Sequence, residues 1–130
     1  MKIIAPTFVM LPRKTKADKK FALNLNIYRN THHAILNQAK KIFNELMREQ
    51  LEGVKLKTPI IMIFQYVKGT KRRSDKQNVL SIVEKFLCDS LVNYGCIPDD
   101  NDDFILSQVY KPTIYEKNKA RVIIEIIEEE

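Results

Sequence analysis

Apolar and polar positions along the chain alternate between two periods, and the switches between them predict the elements. Residues 2–10 hold Ile3, Ile4, Phe8 and Met10 around Pro6, which predicts an edge or bulged strand. Residues 11–22, "LPRKTKADKKFA", predict a basic loop, and "LNLNIYRN" an extended segment. From Thr31, a residue type suited to an N-cap, Ile35, Ala39, Ile42, Phe43, Leu46, Met47 and Leu51 recur at 3.6-residue spacing until Gly53. "TPIIMIFQYV" (58–67) is a continuous β-branched and aromatic run, predicting a strand covered on both faces. Val79, Ile82, Val83, Phe86, Leu87 and Leu91 predict a second helix over about 76–94, closed by Gly95. "FILSQVYKP" (104–112) and "ARVIIEIIE" (120–128) read as two strands, with "TIYEKNK" as their hairpin connection.

The resulting order, β-α-β-α-β-β, predicts one α/β domain over 1–130, a mixed sheet with two packing helices. A chain of 130 residues with 45% hydrophobic and 29% charged residues has the profile of a globular domain large enough to bury a core. No apolar run approaches the roughly 18–20 residues that span a bilayer, and the proline-interrupted N-terminus reads as a strand, not a signal peptide. Cys88 and Cys96 fit no metal-binding spacing, so reduced thiols in a cytoplasmic protein are the expectation.

Charge changes the picture more than composition does. The net charge is +6, but residues 1–73 hold 16 Lys and Arg against 4 Asp and Glu, and residues 74–130 hold 6 against 12. A front half at +12 is the footprint expected for a polyanion such as nucleic acid, or else a solvated lysine-rich surface. The acidic end "EIIEEE" reads as a strand followed by a solubilising tail.

Candidate chemistry sits around the second helix. Asp75 falls at its start, directly after the basic run "KRR", and Asp99, Asp100, Asp102 and Asp103 fall just past its end. If the flanking strands are neighbours, the helix returns the chain so that the two acidic points approach one another. Carboxylates gathered without basic partners are commonly held together by a divalent cation, and Mg²⁺ takes one or two of them plus waters and a phosphate. The plainer alternative is that Asp75 is an N-cap and "PDDND" a turn. Asn78, Lys85 and Asp89 share a helix face with Ser81 and Ile82 nearby. Lys85 is placed there to meet a phosphate, or merely to pair with Asp89 at i,i+4. Cys88 reads as core.

"RRSDKQN…EKFLCDSLVNYGCIPDDN" resembles the core signature of the RusA-type Holliday-junction endonucleases of phages and prophages. That signature is a basic run, D-x-D-N, a helix with K-x-x-x-D-x-L, a glycine, and D-D opening a strand. It is matched by Asp75 and Asn78, by Lys85, Asp89 and Leu91, by Gly95, and by Asp99 and Asp100. The resemblance implies a homodimer that nicks branched DNA in recombination using Mg²⁺ (with Mn²⁺ as a substitute). It implies Asp75 and Asp100 as metal ligands and Lys85 as the catalytic lysine. Two departures stand out. Gln77 replaces the second acid of D-x-D-N, leaving Asp99 or Asp89 to supply the missing carboxylate, and the spacing from asparagine to lysine is four residues longer, about one helical turn.

The basic residues fit the same expectation. Lys68, Lys71, Arg72 and Arg73 lead to Asp75, while Arg13, Lys14, Lys16, Lys19, Lys20 and Arg29 extend the cationic surface. Such contacts position DNA without reading its sequence. Tyr28, His32 and His33 lie nearby as solvated polar residues or, for a histidine, a general acid. A second expectation is a junction- or single-strand-binding protein without catalysis, and a third is a basic adaptor for other phage proteins.

Overall fold

The computed structural model of the protein describes residues 1–129. Pro6 divides the first apolar segment into β1 (Lys2–Ala5) and β2 (Phe8–Leu11). The chain then returns as β3 (Lys19–Ala22), antiparallel to β2 with Val9 opposite Phe21. The segment expected to be a basic loop is therefore a loop only in its middle; one buried aromatic, Phe21, anchors a strand that begins with two lysines. "LNLNIYRN" is not extended. Asn24 accepts the Asn26 N–H (2.8 Å) and caps a short helix, α1 (Leu25–Arg29).

The first long helix, α2 (His33–Leu46), is capped by the His32 ring, whose Nδ1 accepts the Ala34 N–H at 3.1 Å, and not by Thr31. It stops at Met47, and a further turn, α3 (Arg48–Leu51), precedes Gly53, whose φ of +80° requires the left-handed conformation. Then come β4 (Ile60–Lys68), α4 (Lys76–Asn93), β5 (Ile105–Tyr110), β6 (Ile114–Tyr115) and β7 (Arg121–Ile127). The α/β class and the two principal helices stand as the apolar pattern predicts.

The main sheet runs β1-β7-β4-β5, with β6 also paired to β4. The last two long strands do not form a hairpin, because β7 crosses to the far side of β4 and pairs with it antiparallel. On β4, Ile60, Met62 and Phe64 are fully buried, as are Val122 and Ile124 on β7 and Ile3 and Ala5 on β1. Their neighbours Ile61, Ile63 and Ile123 are only half-buried, and Glu125 and Ile127 are exposed. The sheet thus has one covered face, and β4 is not equally buried on both sides as expected. The core lies where that face meets the helices, with Phe43 of α2 edge-on to Phe86 of α4 at 5.6 Å.

β4 and β5 are parallel, with Ile60 beside Ile105, and α4 joins them. A helix returning between parallel strands carries the chain from the C-terminal end of one to the N-terminal end of the next. Eighteen helical residues at 1.5 Å each separate those ends by about 27 Å. No described helix is long and apolar enough to cross a membrane. The acidic end is tied at Lys57, whose N–H donates to Glu128 Oε2 (2.9 Å) and whose carbonyl accepts from the Glu129 N–H (3.1 Å). Glu130 of the expected tail lies outside the described residues.

Candidate functional site

The two acidic points of the sequence occupy opposite ends of α4. Asp75 is the N-cap, in extended conformation, and its Oδ1 accepts the Gln77 N–H at 3.0 Å. It satisfies a donor that the first helical turn leaves free, which is the capping role in full. Gln77 is exposed and Asn78 half-buried in the same turn. About 21 Å of helix separates Asp75 from Asp89, so within one copy of the chain Asp75 and Asp100 do not share an ion. The expected approach of the two acidic points is corrected by the parallel β4-α4-β5 arrangement.

The C-terminal half of α4 carries a different assembly. Ser81, Glu84, Lys85, Cys88 and Asp89 follow the i, i+3, i+4, i+7, i+8 spacing of a single helix face. With Lys40 from α2, Asp100 from the loop after α4, and Gln108 from β5, they line a cleft of about 320 Å³. An adjoining cleft of about 400 Å³ shares Lys40, Asp89 and Asp100 and adds Asp99. Gly95 makes this possible: its φ of +71° turns the chain sharply past the helix and brings Asp99 and Asp100 back alongside it. The thiol of Cys96 donates to the Leu51 carbonyl (3.3 Å) and the Tyr94 hydroxyl to the Asn44 carbonyl (2.6 Å), fixing that turn against α2 and α3.

Within the cleft the charges are unevenly matched. Lys40 Nζ lies 3.7 Å from Asp89 Oδ2, so the expected Lys85–Asp89 pair is replaced by one between helices. Lys85 is exposed, with its ammonium 5.7 Å from the centre of the Tyr28 ring on α1. Asp99 is committed to its turn, accepting from the Asp100 N–H (2.8 Å) and the Asn101 side chain (3.2 Å). Asp103 N–H donates to Asn101 Oδ1, completing the loop. The turn reading of "PDDND" therefore holds for Asp99, whereas the Asp100 carboxylate makes no hydrogen bond or ion pair among the described residues.

Four further groups, Glu84, Tyr110, Cys88 and Ser81, deepen this site. Glu84 Oε1 accepts from the Tyr110 hydroxyl at 3.0 Å; burial pushes its carboxyl above the ordinary range and that hydrogen bond partly opposes the shift. Burial, with the Glu84 charge beside it, raises the Tyr110 phenol in turn. Cys88 is pushed up to about 12 by burial and then by the negative charges of Glu84, Asp100 and Asp89, so it stays a thiol and is no nucleophile at neutral pH. Ser81 Oγ is buried without a hydrogen-bond partner. The helical spacing of Ser81, Glu84 and Cys88 with Lys85 and Asp89 was a readable signal; Lys40, Gln108 and Tyr110 had none, because only tertiary packing brings them in.

The cationic residues divide between two projections. Lys68 ends β4 and Lys71, Arg72 and Arg73 lie on the β4–α4 connection, Lys68 Nζ donating to the Arg72 carbonyl (3.3 Å) and Lys71 lying 5.8 Å from the Tyr115 ring centre. Lys14 and Lys16 are exposed on the β2–β3 connection, and Arg29 ends α1 beside Tyr28. No group of three or more His, Cys, Asp or Glu suited to a metal occurs among the described residues. Asp89 and Asp100 do supply two hard oxygen donors in one cleft, a set that fits Mg²⁺ completed by water and phosphate and does not fit a closed structural zinc site. Compared with known protein families and with curated proteins, the chain matches none.

Proposed function

We propose that the protein is a Mg²⁺-dependent endonuclease acting on branched DNA, with its centre in the cleft of Lys85, Asp89 and Asp100. The observation that carries this reading is the meeting of those three side chains with Lys40 in one open cleft, at the C-terminal half of a helix whose surroundings are rich in cations. Asp89 and Asp100 are the residues that would hold the cation, which supplies the Lewis acidity that phosphodiester hydrolysis requires. Lys85, free of any carboxylate partner among the described residues, is available to a phosphate oxygen as charge builds on it. Lys40 balances Asp89 until substrate arrives. Lys68, Lys71, Arg72 and Arg73 at one end of α4, and Arg29 near the cleft, hold the phosphate backbone by contacts that weaken steeply with salt.

The expected result is strand nicking when the protein meets a synthetic four-way junction in Mg²⁺ or Mn²⁺. Asp100→Asn should lower the rate by about 100-fold or more, since each 1.36 kcal/mol of lost transition-state stabilisation is a factor of ten. Intact strands at saturating wild-type protein would overturn the nuclease reading. One observation favours a second reading, a junction-binding protein without catalysis. Gln77 is neutral and Asp75 caps the distant end of α4, so neither position that matches D-x-D-N brings a carboxylate to the cleft. Salt-sensitive gel shifts with no cleavage in either metal would select it.

A further inference from the structure

A groove of about 560 Å³ lies on the opposite part of the basic half, along β3 and against α1 and the start of α2. β3 pairs with β2 alone, so one of its edges is unpaired. Lys19, Lys20 and Arg13 line it, Lys20 Nζ lying 4.5 Å from the centre of the Phe8 ring and Arg13 Nε donating to the Ala17 carbonyl (2.8 Å), and Ile27 and Ile35, 39% and 42% exposed, form its apolar part. Among the described residues no acidic side chain lines it. His32 adds a polar donor: its Nδ1 already accepts from the Ala34 N–H, so the neutral ring carries its proton on Nε2. The first turn of α2 contains no acid, and the dipole of the helix adds to the positive potential there.

We infer that this groove seats a single-stranded stretch of nucleic acid, with phosphates on Lys19, Lys20 and Arg13 and unpaired bases against Ile27, Ile35 and His32. The inference deepens the nucleic-acid part of the function proposed above and rests on that part alone, not on the chemistry of the cleft. The combination of cations and apolar walls discriminates between ligands. A duplex hides its bases and offers phosphates only, for which exposed lysines suffice. A strand with unpaired bases offers both an anionic backbone and flat apolar faces, the pairing that single-strand-binding grooves use. Lys14 and Lys16, exposed on the β2–β3 connection between Arg13 and Lys19, add further cations to this stretch of chain.

The test is fluorescence anisotropy of labelled 15-residue oligo-dT and of a duplex of equal length, using the whole chain and two variants. Ile35→Glu places a carboxylate in the groove, and Lys19→Ala with Lys20→Ala removes two phosphate contacts; all three positions are exposed, and circular dichroism checks the fold. Oligo-dT affinity should fall about tenfold or more in each variant, with duplex affinity nearly unchanged. The slope of log K against log salt should shrink by about 1.4 in the lysine variant, at about 0.7 per phosphate contact on a single strand. Equal oligo-dT affinity in wild type and variants overturns the groove, as does an oligo-glutamate peptide that competes as well as oligo-dT does. Junction cleavage alongside wild-type oligo-dT binding no stronger than that of the variants overturns the groove and leaves the endonuclease standing. Groove-dependent binding without cleavage supports the groove and removes the endonuclease.

Discussion

The two ends of α4 show how differently one fold treats the same side chain. At the N-terminal end Asp75 is exposed, preceded in the chain by Lys71, Arg72 and Arg73, and its carboxylate is committed to a backbone N–H of the helix it starts. At the C-terminal end Asp89 and Asp100 stand over a tightly packed base, with Phe86, Leu87 and Leu91 essentially inaccessible beneath them. A carboxylate's role follows from what else can satisfy its partners. The cap is a local bargain between neighbours two residues apart, whereas the cleft exists only because Gly95, Tyr94 and Cys96 lock the following turn against α2 and α3. One end can be repaired by any good capping residue; the other depends on the whole core.

The largest effect that would break this contrast lies in that base. Phe86 packs edge-on to Phe43 and borders the adjoining cleft. Phe86→Ala should cost about 3–5 kcal/mol of global stability, as large-to-small core changes do when the site cannot collapse. Urea unfolding of the variant measures it. A loss under about 1 kcal/mol would mean that the C-terminal end is not anchored as described.

A smaller effect sharpens the comparison from the other end. Asp75→Ala should cost about 1 kcal/mol by removing the cap, while Asp75→Asn, an equally good capping residue, should leave stability unchanged. Because about 21 Å of helix lies between Asp75 and Asp89, Asp75→Asn should also leave junction cleavage near the wild-type rate. Thermal melts and nicking rates on both variants separate these outcomes. If Asp75→Asn melts like wild type yet cuts no DNA, the two ends of α4 work in one site after all. That result would require a second copy of the chain to bring them together.

How much of this was legible beforehand depends on the range of the interactions. Both long helices and the long strands showed in apolar periodicity, because each buries a stripe of its own residues. Gly53 and Gly95 marked their turns because both take positive φ. The β2–β3 pair was harder to see, since after two lysines only Phe21 signals a strand and its partner Val9 lies twelve residues earlier. α1 was missed because Asn24 looked like one more polar residue in an extended run, when it was the cap. In the candidate site, the face shared by Lys85 and Asp89 was readable from spacing, and Asp100 from its place after the glycine turn. What misled was connectivity: two neighbouring strands joined by one helix are parallel, which sends the acids before and after that helix to opposite ends.

The smallest predicted effect concerns Glu84, the cleft's least obvious acid. Burial raises its carboxyl above the ordinary value of 4.5, with the Tyr110 hydroxyl opposing part of that shift. In the unfolded chain the group titrates at its ordinary value, so over the interval between the two the folded state holds more proton. Stability linked to Glu84 is therefore fully present below the ordinary value and is lost as pH rises through the folded one. Glu84→Gln keeps an acceptor for Tyr110 but has nothing to ionise. Its melting temperature should gain on that of wild type between pH 4 and pH 7, by a small margin because Glu84 is only partly buried and solvent screens its charge. A margin that shrank with rising pH would mean the ionised carboxylate is stabilised in the cleft. Lys85 and Lys40 would then be its partners, and the cleft would hold its acids by cations of its own with no need of a bound metal.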